Sequence, residues 1–250
     1  MEKEKRRKYK SNKFARLTRK YFLPIGIVLL TAGAIVGISF IPIRKISVSG
    51  NVYAGDGDIR NYVFREESDH RLGNILFQSI RGIRNDNAFE QIALRLKFFG
   101  AEIRVKETEP VFAVQGSGFR YVYNRYGVRV GDYGEDTALP VLEGFPIRDS
   151  ALFEKPALSP ENEKLFKTAV EVFAAVSDRK IPADVLSVSE NGILLTFEKV
   201  HVNLGKADYL KEKLSEVAAQ YEKFKGLQGT LHMEKFDGNN GNSGFYFTVE

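Results

Sequence analysis

The feature that most constrains this chain is an uncharged segment near its start. Residues 21–43, "YFLPIGIVLLTAGAIVGISFIPI", form a run of 23 residues without Asp, Glu, Lys or Arg. A helix of that length reaches about 34 Å, enough to cross a hydrocarbon core of about 30 Å. A cleaved signal peptide usually has an apolar region of only about 7–15 residues, and a buried soluble helix is rarely apolar on every face. The segment therefore predicts a retained transmembrane helix at residues 21–43.

The charges on either side of this segment predict its orientation. Residues 1–20 contain ten Lys or Arg and two Glu, a net charge of +8, whereas only Arg44 and Lys45 closely follow the segment. Positively charged flanks stay on the cytoplasmic side of a membrane. We therefore expect a basic cytoplasmic tail at residues 1–20, a single pass through the cell membrane, and extracytoplasmic domains after residue 43.

The remaining composition excludes several classes of function. The chain has a net charge of +5, but residues 44–250 contain 27 Lys or Arg and 30 Asp or Glu, a net charge of −3. The basic excess therefore belongs to the tail, where it suits anionic lipid, and we expect no nucleic-acid partner. The 250 residues include no cysteine, so packing rather than disulfides must stabilise the exported domains, and thiol chemistry is excluded.

Polar motifs give no catalytic or metal-binding constellation. His70, His201 and His232 lie far apart in the sequence and share no ligand spacing. The loop "GNNGNSG" at 238–244 lacks the Lys-Ser/Thr pair and following helix of a phosphate-binding loop, and turn or capping chemistry explains Asp56 and Asp58. We therefore expect no enzyme, cofactor, metal or small-molecule substrate.

Hydrophobic periodicity predicts a β-α-α-β-β order after the apolar segment. We expect a strand at 43–51, a helix from Asp58, an apolar link at 72–80, a second helix from about 86 to 100, and strands at 101–106 and 111–115. In the second helix, Phe89, Ile92, Leu96 and Phe99 form an apolar stripe that would face the sheet.

The rest of the chain is rich in strand patterns. A hairpin is predicted at 119–131, a buried strand at 139–144, and strands at 193–197 and 200–204 joined by a turn at 198–199. Helices are predicted after Ser159, with Pro160 in the first turn, and at 207–224. The fold class is therefore α+β, with a mostly antiparallel β domain flanked by helices.

The order of these parts resembles one known family. A basic tail, one apolar span, and then "ISVSGN", "VKETEPVFAV", "LPVLEG", "VHVNLG" and "LHMEKFDG" together resemble the FtsQ/DivIB family of bacterial cell division proteins, over nearly the whole chain. The resemblance implies a POTRA domain at 44–113 and the family's β domain at 114–250. It also implies a non-enzymatic membrane scaffold at the division septum, which assembles the divisome and regulates septal peptidoglycan synthesis.

The resemblance also implies partners. These are division proteins of the FtsL type and the FtsB/DivIC type, together with septal peptidoglycan synthases. Another POTRA-type, membrane-anchored chaperone or assembly factor, holding an exported client strand, is the alternative function.

The last segment, "SGFYFTVE", is the strongest candidate for binding a partner. A short aromatic strand at the end of the chain can lie at a sheet edge and accept a partner strand, although Phe245 and Phe247 could also complete the core. The family resemblance implies the following partner-binding positions: Phe236, Asp237, Ser243, Phe245, Tyr246 and Phe247.

A pattern of small residues lies in the apolar segment. Gly33 and Gly37 form a G-x-x-x-G motif, and Gly26 lies seven residues before Gly33. Small residues on one helix face allow close helix packing in a membrane. We therefore take these three glycines as helix-packing candidates, with chance occurrence in a glycine-containing span as the alternative.

Overall fold

The computed structural model describes residues 22, 24–65, 70–98, 100–115, 120–133, 138–145, 147, 150–238 and 244–249. The chain forms two compact units. One comprises the chain up to Ser47 with Val63–Ile83 and Ala93–Ile103, and the other comprises Val48–Tyr62, Arg84–Ile92 and Arg104–Glu250. The predicted domain boundary at residues 113 and 114 stays a prediction.

The apolar segment contains a helix, α1, over residues 24–39. Its large apolar side chains are exposed, as at Leu30 (76%) and Ile35 (66%). In the part of the chain that the structure describes, no helix combines the length and the apolarity needed to cross a membrane. The predicted span also includes residues 21 and 23, which lie outside the described residues.

The elements after α1 follow the predicted β-α-α-β-β order. They are β1 (Ile46–Ser49), α2 (Asp56–Val63), α3 (Leu72–Arg81), β2 (Phe89–Lys97) and β3 (Gly100–Glu107). The strands form a three-stranded sheet in the order β1-β3-β2. The predicted order is therefore confirmed, but several residues occupy other elements than expected.

Two segments form other elements than predicted, the apolar link at 72–80 and the helix from about 86 to 100. The segment expected to be an apolar link is α3, and it escaped prediction because Arg71 at its N-cap makes no side-chain capping hydrogen bond. The segment expected to be the second helix is β2. Its apolar side chains Ile92, Leu94 and Leu96 recur every second residue, which is the period of a strand.

The strand predicted at 111–115 is present, but its assignment to the first sheet was wrong. Residues 111–115 belong to β4 (Pro110–Gln115), which pairs with β5 and β7 in the second sheet. The place of β4 in the first sheet is taken by β2. A pattern of apolar residues specifies a strand but not the sheet in which it pairs, so the sequence left this choice open.

A buried carboxylate stabilises the turn that follows β1. The Glu107 carboxylate accepts hydrogen bonds from the backbone N–H groups of Val52, Tyr53 and Ala54, at 2.9 Å in the last case. Gly50, which closes β1, has a φ of +88°, a backbone conformation that favours glycine. The turn predicted after β1 is therefore present and ordered by a side chain from β3.

Because β2 is a strand, Leu94 and Leu96 should contribute differently to the stability of the fold. Leu94 is only 4% exposed, whereas Leu96 is half-buried. We expect Leu94→Ala to lower the free energy of unfolding by about 2–5 kcal/mol, as for a leucine in a filled core. Leu96→Ala is the matched control and should cost clearly less. Thermal unfolding of both variants checks this, and a larger loss for Leu96→Ala would contradict the assignment.

The second sheet has nine strands in the part of the chain that the structure describes. They are β4 (Pro110–Gln115), β5 (Arg120–Asn124), β6 (Arg129–Tyr133), β7 (Val141–Glu143), β8 (Val185–Ser189), β9 (Gly192–Phe197), β10 (Val200–Gly205), β11 (Gly229–His232) and β12 (Tyr246–Val249). Their order is β12-β11-β10-β9-β8-β7-β4-β5-β6. Three pairs are parallel, β4 with β7, β7 with β8, and β10 with β11, and the others are antiparallel. The predicted mostly antiparallel sheet is confirmed.

Helices α4 (Pro160–Asp178) and α5 (Leu210–Phe224) pack against this sheet. The Ser159 hydroxyl accepts a hydrogen bond from the N–H of Asn162, and Pro160 occupies the first turn, as predicted. The core joins apolar residues of both helices to those of the strands, and the rings of Phe112 and Phe173 stack 4.4 Å apart within it. The predicted flanking helices are confirmed.

A buried lysine connects α5 to the end of β10. The Lys213 side chain is 2% exposed, and its Nζ donates to the carbonyl oxygens of Leu204 at 2.6 Å and Lys206 at 3.0 Å. Burial lowers the pKa of Lys213. Its hydrogen bonds fix the chain where β10 turns towards α5, a role that the apolar pattern of α5 does not reveal.

Tyr123 lies in the main hydrophobic core, and its burial makes the stability of the fold sensitive to pH in the alkaline range. Burial raises the pKa of Tyr123 to about 12, whereas in the unfolded chain it stays near 10. Between these values the folded chain holds a proton that the unfolded chain has lost, so stability should fall as pH rises from about 10 to about 12.

We expect Tyr123→Phe to reduce this alkaline loss of stability, because it removes the titrating group. Thermal unfolding between pH 8 and pH 12 measures the effect on the full chain in detergent. Tyr126→Phe is the control, since Tyr126 is 46% exposed. An alkaline loss that is identical in wild type and Tyr123→Phe would contradict the prediction.

Candidate functional site

Strand β12 lies at one end of the nine-stranded sheet. Among the described residues it pairs with β11 alone, antiparallel, with Leu231 opposite Phe247 and His232 opposite Tyr246. The predicted terminal strand therefore exists and occupies an edge. One side of its backbone is available for pairing with another strand.

Hydrogen bonds between β10 and β11 determine the direction of the β11 backbone groups. The Gly229 N–H donates to the Lys199 carbonyl at 3.2 Å, and the Met233 N–H donates to the Asn203 carbonyl at 2.9 Å. Alternate residues of a strand direct their N–H and C=O groups to opposite sides. The backbone groups of residues 230 and 232 therefore point towards β12.

The register then gives the direction of the β12 backbone groups. Tyr246 lies opposite His232, and Thr248 lies opposite Thr230, so these two β12 residues form the hydrogen-bonded pairs with β11. Phe247 and Val249 alternate with them and direct N–H and C=O away from the sheet. An incoming strand would therefore bond to Phe247 and Val249.

Three of the predicted partner-binding side chains pack on the core instead. Phe236, Phe245 and Phe247 are half-buried against the main hydrophobic cluster, and the Phe247 ring stacks on Phe224 with centroids 6.1 Å apart. The Phe245 and Phe247 rings therefore contribute to the core, as the alternative for these two residues expects. Partner binding at these three positions stays a prediction.

The other predicted positions differ from one another. Tyr246 is 60% exposed, and Asp237 is exposed as well. Ser243 lies outside the described residues. The structure therefore brings Tyr246 to the accessible face of the edge strand, which it shares with the exposed side chain of Thr248.

Tyr246 packs on a cluster of polar side chains that was not predicted from the sequence. Its ring stacks on His232 with centroids 4.6 Å apart, and His232 Nδ1 lies 3.2 Å from the Glu234 carboxylate. Asn203 Nδ2 donates to the same Glu234 oxygen at 2.6 Å. The spacing of His232 and Glu234, two residues apart, was the available signal, because such residues share one face of an extended chain.

The opposite end of the described sheet is partly covered by a loop. On β6, the Arg129 N–H donates to the Glu154 carbonyl at 3.0 Å, and the Phe153 N–H donates to the Arg129 carbonyl at 2.8 Å. The loop therefore occupies the N–H and C=O groups of Arg129, at the start of β6. Of the two ends of the described sheet, β12 is therefore the better place for strand addition.

Gly229 allows β12 to approach β11 closely. A Cβ at this position would collide with the Thr248 carbonyl oxygen and lie 3.0 Å from the Phe247 ring. No side chain other than hydrogen fits there without moving β12. Glycine at position 229, the first residue of β11, is therefore required for β12 to pair in this register.

We expect Gly229→Ala to separate β12 from β11. The measurement is hydrogen exchange of the backbone amides of residues 246–249, which should exchange faster in the variant. Gly131→Ala is the matched control, because a Cβ on this β6 glycine meets nothing within 4 Å. Unchanged protection of β12 in Gly229→Ala would contradict the close approach.

Other candidate chemistry is not assembled in the described part of the chain. No group of three or more His, Cys, Asp or Glu there could hold a metal ion. A cleft of about 440 Å³ between the start of α4 and the β8–β9 turn has Glu161, Lys164, Glu190 and Lys206 in its lining. Its acidic and basic residues balance, so the cleft favours neither an anion nor a cation.

The three glycines of α1 have no neighbour that explains them. A Cβ added to Gly26, Gly33 or Gly37 would meet nothing within 4 Å among the described residues. Their role in helix packing stays a prediction.

Comparisons with known proteins add no relative. No protein-family model matches the chain, and a search of curated proteins finds no similar sequence. The resemblance to the FtsQ/DivIB family therefore depends on the segments quoted above and on the order in which they occur.

Proposed function

We propose that the chain is a non-enzymatic membrane scaffold of the FtsQ/DivIB type, which assembles bacterial division proteins through an added β-strand. The observation that carries the proposal is the β12 edge. Its strand has no charged residue between Gly244 and Val249, and the backbone groups of Phe247 and Val249 point outward. Such an edge favours a partner that supplies an extended segment.

The partner is an extracytoplasmic segment of a FtsB/DivIC-type protein, which acts together with a FtsL-type protein. Main-chain hydrogen bonds to Phe247 and Val249 supply affinity, each about 0.5–1.5 kcal/mol net. An edge of four residues offers few such bonds, so side chains must contribute. Tyr246, held by its stack on His232, is the aromatic anchor in this scheme.

Membrane anchoring is the second part of the proposal. Residues 21–43 hold the chain in the cell membrane at the division septum, with the basic tail in the cytoplasm and residues 44–250 outside. The uncharged run and the exposed apolar side chains of α1 support this, because burying apolar surface contributes about 25 cal/mol per Å². The scaffold then regulates septal peptidoglycan synthases through its partners and performs no chemistry itself.

The strand-addition proposal predicts a backbone effect at Val249. Val249→Pro removes an outward N–H, and proline is tolerated at the solvent side of an edge strand. We expect the variant to bind a DivIC-type partner about tenfold more weakly, since one lost hydrogen bond accounts for up to about 1.4 kcal/mol. The measurement is titration of the full chain in nanodiscs with the soluble part of the partner. Val249→Ala keeps the N–H and serves as the control.

The contribution of a side chain to the free energy of partner binding can be measured at Tyr246. Tyr246→Ala should cost about 2 kcal/mol of binding free energy, as is common for an aromatic hot spot. Hydrogen exchange of the β11 amides verifies that the sheet is intact in each variant. Equal partner affinity for wild type, Val249→Pro and Tyr246→Ala, with the sheet intact, would remove β12 as the binding site.

A further inference from the structure

Helix α3 presents three large apolar side chains to solvent. Phe77 is 58% exposed and Ile80 is 84% exposed, with Leu76 beside them, whereas Ile75 on another side of the helix is fully buried. Spacings of three and four residues place Leu76, Phe77 and Ile80 on the same helix face as Gly73. We call this face the α3 stripe. An exposed apolar patch of this kind marks an interaction surface.

The α3 stripe begins where α3 touches the end of α1. A Cβ on Gly73 would lie 2.8 Å from the Cβ of Ser39, the last residue of the described α1 helix. The helix face that contacts α1 is therefore the face that carries Leu76, Phe77 and Ile80. The stripe continues the apolar surface of α1 along a second helix.

Backbone hydrogen bonds fix this junction. The Leu72 N–H donates to the Ile41 carbonyl at 2.9 Å, and the Ile43 N–H donates to the His70 carbonyl at 2.8 Å. An antiparallel β-bridge joins Pro42 to Arg71 between them. The start of α3 is therefore held at the end of α1 rather than joined to it by a loose linker.

Charge and aromatic side chains at both ends of α3 suit a lipid headgroup region. The Arg71 guanidinium lies 5.1 Å from the Phe40 ring centroid, and the Arg81 guanidinium lies 5.6 Å from that of Phe77. The helix itself, "LGNILFQSIR", has no acidic residue. Aromatic rings and arginines with an apolar face are typical of helices that lie in a membrane interface.

We propose that α3 lies on the outer surface of the bilayer, with Leu76, Phe77 and Ile80 inserted at the boundary between headgroups and acyl chains. This inference depends on the proposed anchoring of residues 21–43 in the membrane. We infer that the bilayer covers the α3 stripe, because the stripe starts where α1 would leave the acyl-chain region of the membrane. The alternative is that a second copy of the chain covers the α3 stripe.

The test uses the absence of cysteine from the chain. Single variants Ile80→Cys, Ser79→Cys and Ile35→Cys are spin-labelled and the full chain is reconstituted in vesicles of phosphatidylcholine and phosphatidylglycerol. Accessibility of each label to a water-soluble nickel chelate is then measured. Ile80 is on the stripe, and its exposed neighbour Ser79 is off it. We expect the Ile80 label to be severalfold less accessible than the Ser79 label, at a depth of about 5–10 Å.

The label at Ile35 separates the two proposals. If the Ile35 label lies among acyl chains and the Ile80 label is as accessible as the Ser79 label, the inference about α3 is wrong and the anchor stands. If the Ile35 label is also accessible to the chelate, the anchor fails and the inference fails with it. Shielding of Ile80 that disappears when the protein is diluted in lipid would identify a second copy as the occupant and would overturn the proposal.

Discussion

The hydrogen bonds between β10 and β11 determine which backbone groups of the edge strand β12 point away from the sheet. They direct the N–H groups of Gly229 and Met233 towards β10. Because backbone groups alternate along a strand, this choice leaves residues 230 and 232 to pair with β12. The outward direction of the Phe247 and Val249 backbone groups follows from it. A shift of β11 by one residue would reverse both assignments and turn the half-buried Phe247 ring out of the core.

Side-chain packing holds this edge strand in place. Without disulfides, the sheet depends on α4 and α5 and on stacked rings such as Phe112 with Phe173 and Phe224 with Phe247. Lys213 adds hydrogen bonds that hold the turn after β10. A strand fixed in this way would lose little conformational freedom under the proposed strand addition, and the entropic cost of association would be correspondingly low.

The sequence predicted elements whose patterns are unambiguous and missed those in which two patterns compete. Ser159 and Pro160 mark the start of α4 with a capping side chain and a proline, and both features are present in the structure. For β2, Phe89, Ile92 and Leu96 fit a helical spacing, but the neighbouring Leu94 completes a period of two, and pairing with β3 decides the outcome. At the candidate site, the edge position of β12 could be predicted. The direction of its backbone groups could not, because it depends on register with strands distant in the sequence.

The open side of β12 also has a consequence for the supply of this protein in a cell. An uncharged edge strand can pair with another copy of itself as well as with a different chain, since both offer backbone groups. Under the proposed function, copies made in excess of the partner would therefore be exposed to self-pairing and aggregation. The ratio in which the two proteins are synthesised, as well as their affinity, would then determine how much of the chain remains monomeric.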